Sequence, residues 1–209
     1  MLGAVLLAAP HAAFGAPTAL PVPDVFGTVA LPAPVMPMAA KWAKVREYAP
    51  SSSLQLLVEP VAGLDRSRQM LFVQSAVQRT LIYREDQQMW GEPDYWASAA
   101  ETLFRGGGDC EDLAIVKYQA LLALGFAPED LVLSVGRDLK RGDHALLLVR
   151  QGGDWWVLDD KYSRPIRSED QKGFEPIVSF SGASAQWLHG RRRAEPPLSG
   201  ASPIPAARR

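Results

Sequence analysis

The sequence predicts an α+β domain in which a helical first half packs on an antiparallel sheet, and three features point to it. Segments with helical spacing of apolar residues fill residues 39–124, and strand-like runs follow over 131–159. The stretch from Leu113 to Leu124 is apolar nearly all round, as in a helix at the centre of a domain. Gln151-Gly152-Gly153-Asp154 joins two of the strand-like runs as a hairpin, which makes their pairing antiparallel. A chain of 209 residues fills one core of ordinary size and does not demand two. Its 22 basic and 23 acidic residues leave no basic face for a phosphate backbone, so nucleic acid is not expected as a partner.

Residues 1–16, MLGAVLLAAPHAAFGA, form an apolar run ending in small residues, the pattern of a secretory signal peptide without its usual positive start. The run is too short to span a bilayer, and the mature chain is expected to begin near Ala16 or Pro17, outside the cytoplasm. Residues 17–38, rich in Pro and Ala, read as an extended leader crossing the surface. A short helix is predicted over Ala39 to Tyr48, followed by the breaker Pro50-Ser51-Ser52-Ser53. Asp65 or Ser67 can cap a helix running to about Tyr83, with Met70, Val73, Val77, Leu81 and Ile82 as its core stripe. Trp90 to Trp96 is a turn, and Asp94 is the candidate cap of a helix that ends in the glycines at 106 to 108. The next helix spans Cys110 to Leu124 and stops at Gly125. Strands are predicted at Leu131–Val135, His144–Arg150 and Trp155–Asp159. The pattern weakens beyond Asp170, and residues 190–209 read as a disordered tail, so the principal domain is 39–189. No internal repeat is present.

Cys110 is the only cysteine, and it opens its helix within Gly107-Gly108-Asp109-Cys110-Glu111-Asp112. The free N–H groups and positive dipole end of a helix N-terminus favour thiolate, the nucleophilic form. A base must come from elsewhere, and His144 is the only histidine between the signal segment and His189. With Gly152 and Gly153 as a two-residue turn, Gln151 faces Asp154, Leu146 faces Asp159, and Ala145 faces Asp160. Because side chains alternate, Asp159 then lies diagonally beside His144 on one face, with Asp160 pointing away. Cys110 as nucleophile, His144 as base and Asp159 as orienter make up the thiol form of a catalytic triad. The Cys110 backbone N–H is the natural oxyanion donor, and the indole N–H of Trp90 or Trp96 is a candidate second one.

Asp109, Glu111 and Asp112 oppose this chemistry, since nearby negative charge disfavours thiolate. Two readings stand open. The three carboxylates are candidate ligands of a hard cation such as calcium, or they are an N-cap and an acidic first turn that stabilise the helix. One Cys and one His cannot fill a zinc site, and the glycine run lacks the Lys-Ser/Thr of a phosphate cradle.

Trp90-Gly91, Asp94-Tyr95-Trp96-Ala97, Glu101-Thr102-Leu103, Gly107 to Asp112, Ala114-Ile115, Lys117-Tyr118, His144 and Val157-Leu158-Asp159 together resemble the bacterial transglutaminase-like cysteine proteinases. The similarity extends from Ala39 to Ile166. This resemblance, which includes the LapG-type periplasmic proteases, implies a papain-like, transglutaminase-type core with Cys110, His144 and Asp159 as the triad. It also implies calcium near the active site at Asp109 and Glu111. The implied substrate is the N-terminal region of a large surface adhesin, cut beside paired alanines to release biofilm cells. The implied regulatory partner is an inner-membrane cyclic-di-GMP receptor. The sequence departs from the family pattern in having Asp160, where Asn is usual, and in its Pro-rich leader. The expected activity is that of an exported, calcium-dependent cysteine endopeptidase acting through an acyl-enzyme. Transglutaminase or deamidase chemistry with the same triad, and a catalytically silent peptide-binding module, are the alternatives.

Overall fold

A computed structural model of the chain describes residues 20–191. The signal segment, the first residues of the leader and the tail from 192 lie outside the described residues. The described residues contain nine strands and six α-helices: β1 (Thr28–Pro32), α1 (Ala39–Arg46), α2 (Ser52–Val58), α3 (Arg66–Thr80), β2 (Ile82–Tyr83), α4 (Asp86–Met89), α5 (Ala99–Arg105), β3 (Gly107–Gly108), α6 (Cys110–Ala123), β4 (Leu131–Asp138), β5 (Gly142–Gln151), β6 (Asp154–Leu158), β7 (Ile166–Arg167), β8 (Phe174–Ser181) and β9 (Gln186–Arg191). The fold is the predicted α+β. Seven strands form one antiparallel sheet in the order β1-β9-β8-β4-β5-β6-β7, and β2 and β3 form a small parallel pair.

The period of two along the strands divides the core between the faces of the sheet. Leu131, Leu133, Ala145, Leu147 and Val149 pack with Leu113, Ile115, Val116 and Leu121 of α6 and with α1, α2 and α3. Val132, Leu146, Leu148 and Val157 form a smaller cluster on the other face with Val25, Phe174 and Trp187. Burying α6 on all sides fixes the height of its first residue, Cys110, above the sheet. Gly125, at φ 79°, follows the end of α6 in the left-handed conformation that glycine tolerates at a helix end. Among the described residues, no helix is long and apolar enough to cross a membrane.

Three expectations are corrected. The stripe of α3 stops one residue short: the helix ends at Thr80, Leu81 is buried as its cap, and Ile82 is 60% exposed in β2. Asp94 caps nothing. Helix α5 starts at Ala99, where Ser98 accepts from the Glu101 N–H and Glu101 reaches back to the Ser98 N–H, a full capping box. Asp94 pairs with Lys41 instead. The pattern beyond Asp170 hides two long strands, because β8 buries Ser179 and Ser181 where a strand signal expects aliphatic residues. Ser179 is satisfied there by Ser134 Oγ at 3.1 Å and His189 at 2.8 Å. Within the expected leader, Thr28–Pro32 pairs with β9 from Thr28↔Arg191 to Pro32↔Trp187.

Candidate active site

Cys110 begins α6 directly after the β2–β3 pair. At Gly107 a Cβ would come within 2.3 Å of the Ile82 carbonyl oxygen, and at Gly108 within 2.5 Å of the Asp112 side chain, so only glycine permits this approach. The thiol is mostly buried, 3.1 Å from a Glu111 carboxylate oxygen, with the Ala145 backbone N–H moderating the rise in its pKa. Ala145 directly follows His144 on β5, and Cys110 and His144 line one cavity of about 440 Å³ together with Asp109, Glu111, Trp96 and Ile177. Among the described residues no hydrogen bond joins the sulfur to the imidazole.

The hairpin has the expected register, from Gln151↔Asp154 to Leu147↔Leu158. Continued by one pair, it brings Asp159 beside His144, and Asp159 Oδ1 lies 2.9 Å from His144 Nε2. This leaves Nδ1 without a partner among the described residues and available to a thiol. His144 is buried, with the edge of Phe174 against its ring at a centroid distance of 6.0 Å. Burial raises the pKa of Asp159, but the hydrogen bonds that its Oδ1 accepts from His144 and the Lys161 N–H outweigh it and hold the carboxyl below its usual range. Asp160 is bound by both guanidinium nitrogens of Arg141 at 2.8 and 2.7 Å, which balances its charge 3.6 Å from His144 Nε2. His189 is spoken for: Thr28 and Ser179 engage its two nitrogens at 2.8 Å, and burial pushes its pKa down to about 4.

Sequence reasoning missed the group that holds Asp159 in position. Gln74 on α3, fully buried, donates to the carbonyls of Asp159 (2.6 Å) and Tyr162 (2.5 Å), and Gln78 one turn later donates to that of Asp160 (2.8 Å). Their four-residue spacing puts both amides on one helix face, a signal that two glutamines on an otherwise apolar face could have given.

The acidic side of the site is organised differently. Asp109 makes no side-chain cap bond at the start of α6, which removes the simple capping explanation for it. Asp86, which sequence reasoning did not single out, joins Asp109 and Asp112 in a buried triplet of carboxylates, and Asp86 also lies with Asp94 and Glu111. Among the described residues, Asp86 Oδ1, Asp109 Oδ1 and Asp112 Oδ2 are buried without a hydrogen-bond partner. Burial and the neighbouring Glu111 and Asp112 charges push Asp109 up to about 10. Burial, offset in part by the Ala97 N–H and reinforced by Asp86, pushes Asp112 up to about 7. Asp86 rises to about 6, mainly through burial, although it accepts the Tyr95 N–H. The Cys110 thiol is pushed far above its ordinary value by burial and by the charges of Glu111 and Asp109. Orphaned carboxylate oxygens converging in a buried cluster are a donor set that fits a hard divalent cation such as calcium.

Of the two candidate indoles, Trp96 lines the cavity and Trp90 is not part of its wall. Trp90 stacks on Tyr95 with centroids 4.7 Å apart, and its buried Nε1 has no partner among the described residues.

The model of a family described as bacterial transglutaminase-like cysteine proteinases matches residues 52–189. The solved structure of calcium-bound Legionella pneumophila LapG superposes with a TM-score of 0.58 at 26% identity, covering 77% of this chain and 92% of that chain. The EGTA-treated form of the same protein gives a TM-score of 0.57 at 25% identity, covering 75% and 87%. No match was found among curated proteins.

Proposed function

The chain belongs to the bacterial transglutaminase-like cysteine proteinases and is a cysteine peptidase, and from that premise we propose that it is a calcium-dependent endopeptidase with Cys110, His144 and Asp159 as its triad. The observation that carries this reading is the 2.9 Å His144–Asp159 hydrogen bond, which leaves Nδ1 for a thiol in the same cavity. His144 would take the Cys110 proton. The thiolate would then attack the scissile carbonyl carbon, forming a C–S bond as the π electrons move to oxygen. The free N–H groups at the start of α6 would receive that oxyanion. Collapse would break the C–N bond, with His144 protonating the leaving amine, and a water deprotonated by His144 would hydrolyse the thioester.

Asp86, Asp109, Glu111 and Asp112 would hold a calcium ion, whose charge would offset the carboxylates that now suppress ionisation of the thiol. That the solved Legionella pneumophila protein has a calcium-bound form supports this assignment. We place the mature protein in the periplasm, on the strength of its apolar N-terminal run and its family. We also propose the N-terminal region of a large surface adhesin as substrate and an inner-membrane cyclic-di-GMP receptor as regulator, both on family likeness.

The test is alkylation by iodoacetamide with and without calcium, read by mass spectrometry, alongside cleavage of a proteome-derived peptide library. Calcium-stimulated labelling of Cys110, with cleavage lost in Cys110→Ser, is expected. Cleavage surviving that substitution would overturn the triad.

A further inference from the structure

A second and larger cavity, of about 1010 Å³, opens beside the active site between residues 24–28, the 168–177 segment and the end of β9. Its wall reaches the catalytic cavity through Ile177, which lines both. The pairing of β4 with β8 runs in register to Val135↔Val178 and resumes at Gly136↔Pro176, so Ile177 is the extra residue of a β-bulge. Bulges beside active sites re-aim a side chain, and Ile177 is 53% exposed on the sill between the two spaces. Phe174 forms another part of the wall, with its ring edge-on to Phe26 at 5.3 Å and to His144 at 6.0 Å.

The chemical signal in this cavity is Gln171. Gln171 is a residue of the wall and is only 7% exposed, yet neither its amide oxygen nor its amide nitrogen has a partner among the described residues. A buried carboxamide left unpaired is costly, and most such groups in native proteins are satisfied by something. A primary amide presents one acceptor beside donors, the complement of a peptide group's N–H and C=O. The charged residues of the wall are mixed in sign, with Asp24, Glu169 and Glu175 against Lys172 and Arg191, and Arg191 is paired with Glu175. That balance does not favour a strongly charged ligand.

We infer that this cavity is a substrate subsite, in which an extended polypeptide running over Ile177 from the scissile bond docks a backbone amide on Gln171. The inference rests on the peptidase reading above. It assigns Gln171 and Ile177 to substrate binding and specificity, remote from the bond that breaks.

The experiment uses the full chain with calcium. A peptide from the proteome-derived library that the wild-type protein cleaves is compared with versions truncated stepwise on each side of the cut. Truncation on one side is expected to lower kcat/KM about tenfold, the value of a lost pair of buried hydrogen bonds. Gln171→Leu should cost about the same on the long peptide and less than about twofold on the truncated one, while Ile177→Ala should change which residue is preferred beside the cut. Equal loss on long and short peptides, or no dependence of the wild-type protein on length, would overturn the subsite while leaving the peptidase intact. A library untouched by the wild-type protein would overturn both. The wild-type truncation series decides the matter even if Gln171→Leu does not fold.

Discussion

The two sides of Cys110 are built on opposite principles. Toward β5 and β6 the polar groups are mostly paired: His144 with Asp159, Asp160 with Arg141, and the backbone carrying the acids with Gln74 and Gln78. Toward α4 and the start of α6, buried carboxylates crowd together with orphaned oxygens and raised pKa values. The triad side leaves one carboxylate oxygen, Asp159 Oδ2, without a partner, whereas the acidic side gathers three, and no described basic side chain pairs with Asp86, Asp109, Glu111 or Asp112. Lys41 reaches only Asp94, at its rim.

The largest expected effect breaks the comparison at its centre. Cys110→Ser should lower kcat/KM by about four orders of magnitude or more, measured on a library-derived peptide, whatever the calcium concentration. Asp159→Asn attacks the finished side and should cost about 10³-fold in kcat through loss of the ring's orientation and tautomer, with near-unchanged calcium binding by calorimetry. Removing calcium attacks the unfinished side. Asp86 and Asp112 have folded pKa values of about 6 and about 7, above their unfolded values. The metal-free fold therefore binds more protons than the unfolded chain: it is favoured below about pH 4 and loses stability as pH rises through 6 and 7. Calcium-free protein should melt about 5 °C lower at pH 8 than at pH 5, while calcium-saturated protein should show little of that slope. The smallest effect sharpens the contrast: Gln74→Leu strips a donor from two carbonyls and should lower kcat about fivefold with KM nearly constant, with rescue expected from Gln74→Asn in part.

This asymmetry also explains what the sequence made legible. The helix of Cys110 and the β5–β6 hairpin are written in local signals, an apolar run and a Gly-Gly turn, and the hairpin register carries Asp159 to His144 by arithmetic alone. Asp109, Glu111 and Asp112 are visible because they flank the thiol in sequence. Asp86 is not, since the fold buries it beside Asp109 and Asp112, more than twenty residues away, and no local pattern separates it from an exposed acid. Gln74 and Gln78 leave a faint local trace, two amides on one helix face, but what they hold is hidden because their partners are backbone atoms more than eighty residues away. Strands β8 and β9 are obscured by buried serines whose hydroxyls are satisfied only in three dimensions.

The pairing of β1 with β9 sets a limit on maturation. Asp24 accepts the Ala30 N–H, Val25 is buried, and Thr28 faces Arg191 across the ladder, so Thr28–Pro32 is the outermost stave of the sheet and residues 24–27 are the turn packed into it. A processing cut upstream of Asp24 leaves the sheet whole. One made downstream would strip away that stave, bare the hydrogen-bonding edge of β9 to neighbouring chains and open one wall of the larger cavity. Any protease that trims this protein must therefore stop short of residue 24 for the trimmed product to keep both its covered edge and its cleft.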